Sequence, residues 1–435
     1  MTQGYYAGIS GLQSNQYGLD VISDNLANVS TTAFKSSTTE FADLFTKTLS
    51  SASANGPTAN EIGLGARVQA TSTQFQQGAI MPSDRFNDLA IEGNGWFGVT
   101  SKKDTFYTRD GHFSFDTTQK VSGDASSSSA RLVTADGMYV SGTMLSNFTY
   151  DAAAGAYVIS APAATVALGS VESQGKLEFP TQLNYPTEAS TSATFSGNLG
   201  VTNETRTISA DVISASNQRN RLKLTFVQSA VQPAQGVAWD VTATVTSNDG
   251  SILYDTQHGQ AVFGISGGLI SSSPSSVNND GTPVSINLGS NFSGVISSDG
   301  IGVSGSSSTN GTPGGTLTKY GIDSNGVIVA DFSNGRQSAI GRVAVYHFQN
   351  DQGLNKDGGT YYSQSSNSGK PLFWTDASGN AITGATIRSG SLEASNVRMD
   401  VGLTDMIIMQ RAYQANAKTI TTVDEMIQKA LQMRR

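Results

Sequence analysis

Ile9-Ser10-Gly11-Leu12-Gln13-Ser14-Asn15-Gln16-Tyr17-Gly18-Leu19-Asp20-Val21-Ile22-Ser23-Asp24-Asn25-Leu26-Ala27-Asn28-Val29 decides how the rest of this chain reads. Leu12, Leu19 and Leu26 return every seven residues, and Ile22 and Val29 each follow a leucine by three. Ile9 extends the face backwards, and Asn15 takes one of the positions between the leucines. A repeat of this kind places a narrow apolar seam along one helix. The far end of the chain carries a second one. Met406, Tyr413, Ile420 and Ile427 are spaced by seven, Leu403, Ala417 and Leu431 run beside them, and Gln410 and Asp424 interrupt the row. Arg434 and Arg435 follow, where cations favour a helix C-terminus. Two readings fit: amphipathic helices packed separately on a globular core, or a coiled-coil stem that pairs the chain ends. Neither stripe is long enough to make a stable helix alone in water.

Proline supports helices at both ends. All ten prolines lie between Pro57 and Pro371, so the residues on either side lack the commonest helix breaker. Between the ends the period changes to two. Leu222, Leu224 and Phe226 alternate with Lys223 and Thr225, and Trp239, Val241, Ala243 and Val245 alternate with Asp240, Thr242 and Thr244. Val343, Val345 and His347 alternate with Ala344, Tyr346 and Phe348. These are half-buried antiparallel strands by pattern. The Ser-, Gly- and Asn-rich run Ser271–Gly315 reads as a long loop or linker.

The 435 residues contain 47 glycines, and only 14% are charged, a composition suited to turn-rich β-structure in two or three domains. A net charge of −8, with 26 Lys and Arg over the whole chain, argues against a nucleic-acid partner. The absence of cysteine excludes a disulfide scaffold, a thiolate metal site and a cysteine nucleophile. Residues 158–171, the longest mostly apolar run, are broken by Ser160, Pro162, Thr165 and Gly169, so no membrane insertion is expected. The first basic residue is Lys35, which leaves a cleavable signal peptide without its charged start.

No catalytic or cofactor motif assembles. Gly93-Asn94-Gly95-Trp96-Phe97-Gly98 spells a dinucleotide fingerprint, but Phe97–Thr100 reads as strand where a helix is required, so a turn between strands is expected. His112, His258 and His347 are too far apart for a local metal motif, and no nucleophile elbow surrounds any serine. Asp351, Asn355 and Asp357 miss the calcium-loop pattern and read as a solvated turn. The expectation is a chain that is not an enzyme, with no catalytic, cofactor-binding or metal residues.

Several strings resemble the bacterial flagellar rod and hook family. Asn25-Leu26-Ala27-Asn28-Val29-Ser30-Thr31-Thr32-Ala33-Phe34-Lys35 looks like its N-terminal signature, with Ala33 where the family usually has glycine. Phe41-Ala42-Asp43-Leu44-Phe45 is typical of the hook branch. Phe75-Gln76-Gln77-Gly78, Asp88–Phe97 and Tyr107–Phe113 are similar to the blocks that follow. On the return, Phe332–Gly341, Gly390–Val397 and Gln410-Arg411-Ala412-Tyr413-Gln414-Ala415-Asn416 match in order, with Arg398 where an acidic residue is usual. The likeness covers residues 1–150 and 315–435.

The resemblance implies a mainly β chain with long terminal α-helices and nested domains, a helical coiled-coil core plus β-rich outer domains. The terminal-helix core would comprise 1–30 and 398–435, with an extended linker at 31–70. A discontinuous β-domain would span 71–145 and 316–397, and an outer β-domain would be inserted at 146–315. It implies a structural subunit that polymerises into a curved, flexible tube and transmits torque from rod to filament. Its partners would be itself as a helical homopolymer, the hook cap protein, the distal rod protein, the hook-filament junction protein and the flagellar type III export apparatus. Its place would be the extracellular flagellum, reached without a cleavable signal peptide. Family-motif residues are then Asn25, Asn28, Thr32, Phe34, Lys35, Gln410, Arg411 and Asn416. The intersubunit helical core would be Ile9, Leu12, Leu19, Ile22, Leu26, Val29, Leu403, Met406, Tyr413, Ile420, Ile427 and Leu431. A distal-rod or other basal-body axial protein is the alternative, and a secreted β-rich adhesin a more distant one.

A low-charge, Ser/Thr/Gly-rich outer surface further suggests subunit contacts that slide between near-equal states, since strong apolar patches would fix one geometry.

Overall fold

The computed structural model describes residues 2–48, 61–101, 104–116, 129–152 and 155–433. Arg434 and Arg435, and residues 49–60 of the expected linker, lie outside the described residues. Two helices form where the heptads predicted them: α1 at Thr2–Ala27 and α2 at Met399–Gln432. Asp400 in the first turn of α2 and Lys429 in its last complement the helix dipole. Asn28 ends α1, its Nδ2 donating to the Asp24 carbonyl at 2.9 Å. The helices run antiparallel, with Gly8 beside Ile420, Gly18 beside Met409 and Gly402 beside Leu26.

The stretch expected as an extended linker is, where described, a two-stranded ribbon. Ser37–Asp43 pairs antiparallel with Ala66–Thr73. The ribbon lies against α1, where Ser14 Oγ donates to the Ala66 carbonyl at 3.0 Å.

Beyond the ribbon the chain enters a large mixed sheet built from both of its halves. Tyr139–Met144 pairs with Gln337–Val343, and Phe97 pairs with Val345. Leu89–Glu92 pairs with Thr386–Ser389, and Ile80–Pro82 with Ser391–Glu393, so the returning chain retraces the outgoing one. One face of this body packs Leu89, Ile91, Phe97, Val99, Phe113, Ile340 and Val343. Ala344, Tyr346 and Phe348, expected to face outward, are buried instead with Trp96, Tyr107 and Tyr362 in a second, aromatic cluster. The alternation at 343–348 misled because both faces of this segment are covered. Burial pushes the phenols of Tyr107 and Tyr362 up to about 12, and raises those of Tyr320, Tyr346 and Tyr361 as well.

Strands as late as Leu183–Tyr185 still belong to the large sheet, through Gly315–Ile322. A separate sandwich begins only at Ser192. Its first layer is a meander of Arg206–Ile213, Arg219–Gln228, Val237–Ser247, Leu253–Phe263 and Leu269–Ser272. The second layer centres on Ser192–Asn198, paired with Thr282–Asn287, Ser293–Ile296 and Ser306–Thr309. Leu222, Leu224, Phe226, Trp239, Val241, Ala243 and Val245 all point into the core between the layers, as their alternation requires. Ser271–Gly315 is therefore not a linker, because most of it is this second layer. Its sparse apolar residues Val277, Val284, Ile286 and Val295 face inward; Ser276, Asn278, Ser285 and Asn287 beside them face water, while Asn279 is buried and accepts from Asn220 Nδ2 at 2.7 Å. Low apolar density hid a one-sided strand pattern.

Of the Gly93–Gly98 string, Gly93–Gly95 form a turn between Leu89–Glu92 and Trp96–Ser101, with φ of +108° at Gly93, and Trp96–Gly98 already belong to the second strand. The Asp351 carboxylate accepts a hydrogen bond from Trp96 Nε1 at 3.1 Å. His347 stacks on Trp374 with ring centroids 4.1 Å apart. Among the described residues, no helix is long and apolar enough to cross a membrane.

Candidate assembly interface

The helical pair meets along glycines. A Cβ on Gly11 would lie 2.8 Å from Asn416 Nδ2, and one on Gly8 would lie 2.9 Å from Ile420 Cγ1. With no side chain in the way, the two backbones approach closely. Gly4, Gly8, Gly11 and Gly18 thus make a small-residue row beside the leucine stripe. On α2 the residues that meet it are Met409, Asn416, Ile420 and Val423.

The stripe residues Ile9, Leu12, Leu19, Ile22, Leu26 and Val29 are half-buried, as are Met406, Tyr413, Ile420 and Ile427. Leu403 and Leu431 are 46% and 63% exposed. Val423 is the one α2 residue described as buried. Tyr6, Tyr17, Ile407, Ile408 and Met426 also face water. Much apolar surface on both helices is therefore uncovered within a single chain.

Family-motif residues fix this pair to the body. Asn25 accepts from the Ser37 backbone N–H at 2.9 Å and donates to its carbonyl at 2.7 Å, tying the end of α1 to the ribbon. Asn396 accepts from the Ser36 N–H at 2.7 Å and donates to the Gln74 and Gln76 carbonyls. Lys35 is 1% exposed; its Nζ lies 2.5 Å from Glu393 and donates to the Gln76 carbonyl at 2.9 Å. Glu393, with no exposed side-chain surface, also accepts from the Gly78 N–H at 2.8 Å and lies 3.4 Å from Arg109. Burial lowers the pKa of both Lys35 and Arg109, and the Glu393 charge opposes that shift. One carboxylate thus joins the N-terminal segment, the first β block and the returning strand.

Phe34 is buried under Lys356, whose Nζ sits 4.9 Å from the ring centroid. Asn28 accepts from Thr31 Oγ1, and Thr32 is half-buried. Gln410 and Arg411 are exposed. Ala33 adopts φ +56° and donates its N–H to the Glu393 carbonyl at 2.8 Å. It holds the left-handed conformation that glycine takes without strain. Arg398 pairs with Asp400 at 3.0 Å on an exposed surface. The motif strings contain Arg109, Glu393 and Asn396 but assign them no role, and sequence reading missed the glycine row. The i, i+4, i+7, i+14 spacing of Gly4, Gly8, Gly11 and Gly18 was the available signal; nothing in the sequence links residues 35, 109 and 393.

Three family profiles match these regions. "Flagella basal body rod protein" matches residues 6–35, "Flagellar hook protein FlgE/F/G D1 domain" residues 90–179, and "Flagellar basal body rod FlgEFG protein C-terminal" residues 388–433. The matches fall on α1 and its clamp, the large sheet, and the return to α2. The flagellar hook protein FlgE of Borreliella burgdorferi is 29% identical over 100% of both chains. That of Escherichia coli is 27% identical over 98% of each. The Bacillus subtilis basal-body rod protein FlgG is 37% identical, but over only 32% of this chain and 51% of its own. The likeness to the hook proteins runs the length of the chain, whereas that to the rod protein covers a third of it.

Proposed function

We propose that this chain is a structural subunit of the flagellar hook, polymerising into a curved, flexible tube that works as a universal joint between rod and filament. The full-length likeness to hook proteins carries this reading, and the half-covered helical pair gives it a mechanism. The role is structural rather than catalytic. Ile9, Leu12, Leu19, Ile22, Leu26, Val29, Leu403, Met406, Tyr413, Ile420, Ile427 and Leu431 form a coiled-coil core completed by neighbouring copies. Each apolar side chain buried there contributes on the order of 1 kcal/mol or more. A head-to-tail contact that does not close into a ring grows into a helical filament.

The proposed organisation is nested. The terminal helices make the inner unit, the ribbon leads outward, and the large sheet forms a discontinuous middle unit. The inserted sandwich, about 190–312 by its strand pairing rather than 146–315, forms the outer one. The distal rod, the hook cap, the hook-filament junction and the type III export apparatus are its proposed partners, and the extracellular flagellum its place.

Deleting residues 1–29 tests the reading. The truncated chain should remain folded by circular dichroism yet give no tubes by electron microscopy under conditions where the full chain assembles. Tubes from the truncated chain would refute the helical core.

A further inference from the structure

Cysteine is absent, so methionine supplies the only sulfur in this chain. Five of its nine methionines, Met399, Met406, Met409, Met426 and Met433, lie on α2 or on the residue that ends it. A thioether is a soft apolar gap-filler until it is oxidised, when it becomes a polar sulfoxide. Met399, Met426 and Met433 are 48% to 84% exposed, so oxidation there alters surface that water already reaches. Met409 is placed differently.

Met409 is half-buried where three elements converge. A Cβ on Gly18 of α1 would lie 3.3 Å from Met409 Sδ and also 3.3 Å from Cζ of Phe41 on the ribbon. The side chain that Gly18 lacks therefore leaves the space in which the thioether meets α1. Met409 also lines a solvent-open cavity of about 440 Å³, bounded by Gly18, Val21 and Ile22 of α1, by Thr38 of the ribbon, and by Val401 and Asp405 of α2. Val401 and Asp405 are exposed at its rim. A water molecule takes roughly 30 Å³, so an uncharged molecule of similar size, hydrogen peroxide, has room to reach the sulfur. The product fits less well. At Gly18 and Phe41 the sulfur faces a helical backbone whose N–H groups are already bonded and an aromatic ring. Neither offers a free donor to a sulfoxide oxygen, and a polar group buried without a partner opposes the contact.

We infer that Met409 is an oxidation switch in the helical pair, and that its oxidant is hydrogen peroxide. One oxygen passes from the peroxide to Sδ: the O–O bond breaks, an S–O bond forms, and the second oxygen leaves as water with both hydrogens. Sulfur is oxidised by two electrons and the peroxide is reduced by two. The sulfoxide then pushes α2 away from Gly18 and Phe41, and the helical pair loosens. An oxidised subunit presents its terminal helices in the wrong arrangement and does not join the tube. That last consequence rests on the hook-subunit reading; the reaction and the loosening within one chain do not.

The test treats the full-length chain, before assembly, with dilute hydrogen peroxide and maps its peptides by mass. Met409 should gain one oxygen several-fold faster than Met144, which packs on the core of the large sheet. With Met409 oxidised, the helical circular dichroism should melt at a lower temperature than in the untreated chain, and the critical concentration for tubes should rise roughly tenfold. Met409→Leu, compared before and after the same treatment, should shift in neither measurement, although Met399, Met426 and Met433 are still oxidised. The two epimer-specific methionine sulfoxide reductases, added together, should restore the original melting. An unshifted melt at full Met409 oxidation, or an equal shift in Met409→Leu, would overturn the switch. If the untreated chain forms no tubes, the hook-subunit reading fails, and the melting measurement still judges Met409.

Discussion

The helical pair and the outer sandwich solve the same problem in opposite ways. In the sandwich, two layers close over Phe195, Phe226, Trp239 and Phe263, each without exposed surface. In the helical pair, only Val423 is buried among the α2 residues, and the apolar stripes stay half-covered. A sheet pair can cover its own inner faces, whereas two helices cover one side of each other and leave the rest to a third body. The sandwich is therefore built to be stable alone. In the proposed assembly the helices gain their stability from neighbours, and the Lys35–Glu393–Arg109 clamp holds them to the body.

Alkali should separate these regions most strongly. The tyrosines with raised pKa values all belong to the large body between helices and sandwich. Their folded-state pKa values lie above the unfolded value near 10, so the stabilisation is complete below pH 10 and is lost as pH rises toward 12. Two shifts to about 12, for Tyr107 and Tyr362, amount to roughly 5 kcal/mol. The phenolate absorbance of these buried rings should appear in one cooperative step together with loss of the body's near-ultraviolet circular dichroism. Phenolate absorbance that reaches its full value while that circular dichroism signal persists would contradict the burial of these rings.

Trp239→Ala should cost about 4 kcal/mol in the urea unfolding of the sandwich, through an empty core site and the lost hydrogen bond to Ser297. Because the sandwich has its own core, the helical signal of the monomer should not move. A parallel loss of helix would break the distinction between the two regions. Glu393→Ala should cost about 3 kcal/mol, since it leaves Lys35 and Arg109 buried without their counter-charge. Its readout is limited proteolysis, which should release the helical ends while the sandwich stays resistant.

Gly11→Leu should cost about 2 kcal/mol by forcing the helices apart at Asn416. Helix content and tube formation should fall while the sandwich's melting is unaltered. The smallest effect is a gain: Ala33→Gly should relieve about 1 kcal/mol of left-handed strain, partly offset by glycine's extra freedom in the unfolded chain. A lower melting temperature would show that the Ala33 methyl packing outweighs the strain.

Legibility in the sequence followed the range of the interaction. Heptads placed both helices, and alternation placed the core faces of Leu222–Phe226 and Trp239–Val245, because those periods come from backbone geometry within one element. The motif strings marked Asn25 and Lys35, yet gave no reason for them. Their reason is a partner about 360 residues away for Lys35 and a strand end for Asn25. Val343–Phe348 was misread because alternation assumes one wet face, and the aromatic cluster around Tyr346 removes it. Ser271–Gly315 was misread because one apolar residue in two, among serines, is enough for a strand that covers one side of a core.

By itself, then, the sequence determined where helix and strand periods run, that the ends are alike in kind, and that the surface carries little charge. Tertiary structure alone decided that glycines rather than leucines bring α1 and α2 together. It alone placed one carboxylate between Lys35 and Arg109. Periodicity is local and survives in the order of residues, whereas close approach and counter-charge depend on segments that only folding brings together.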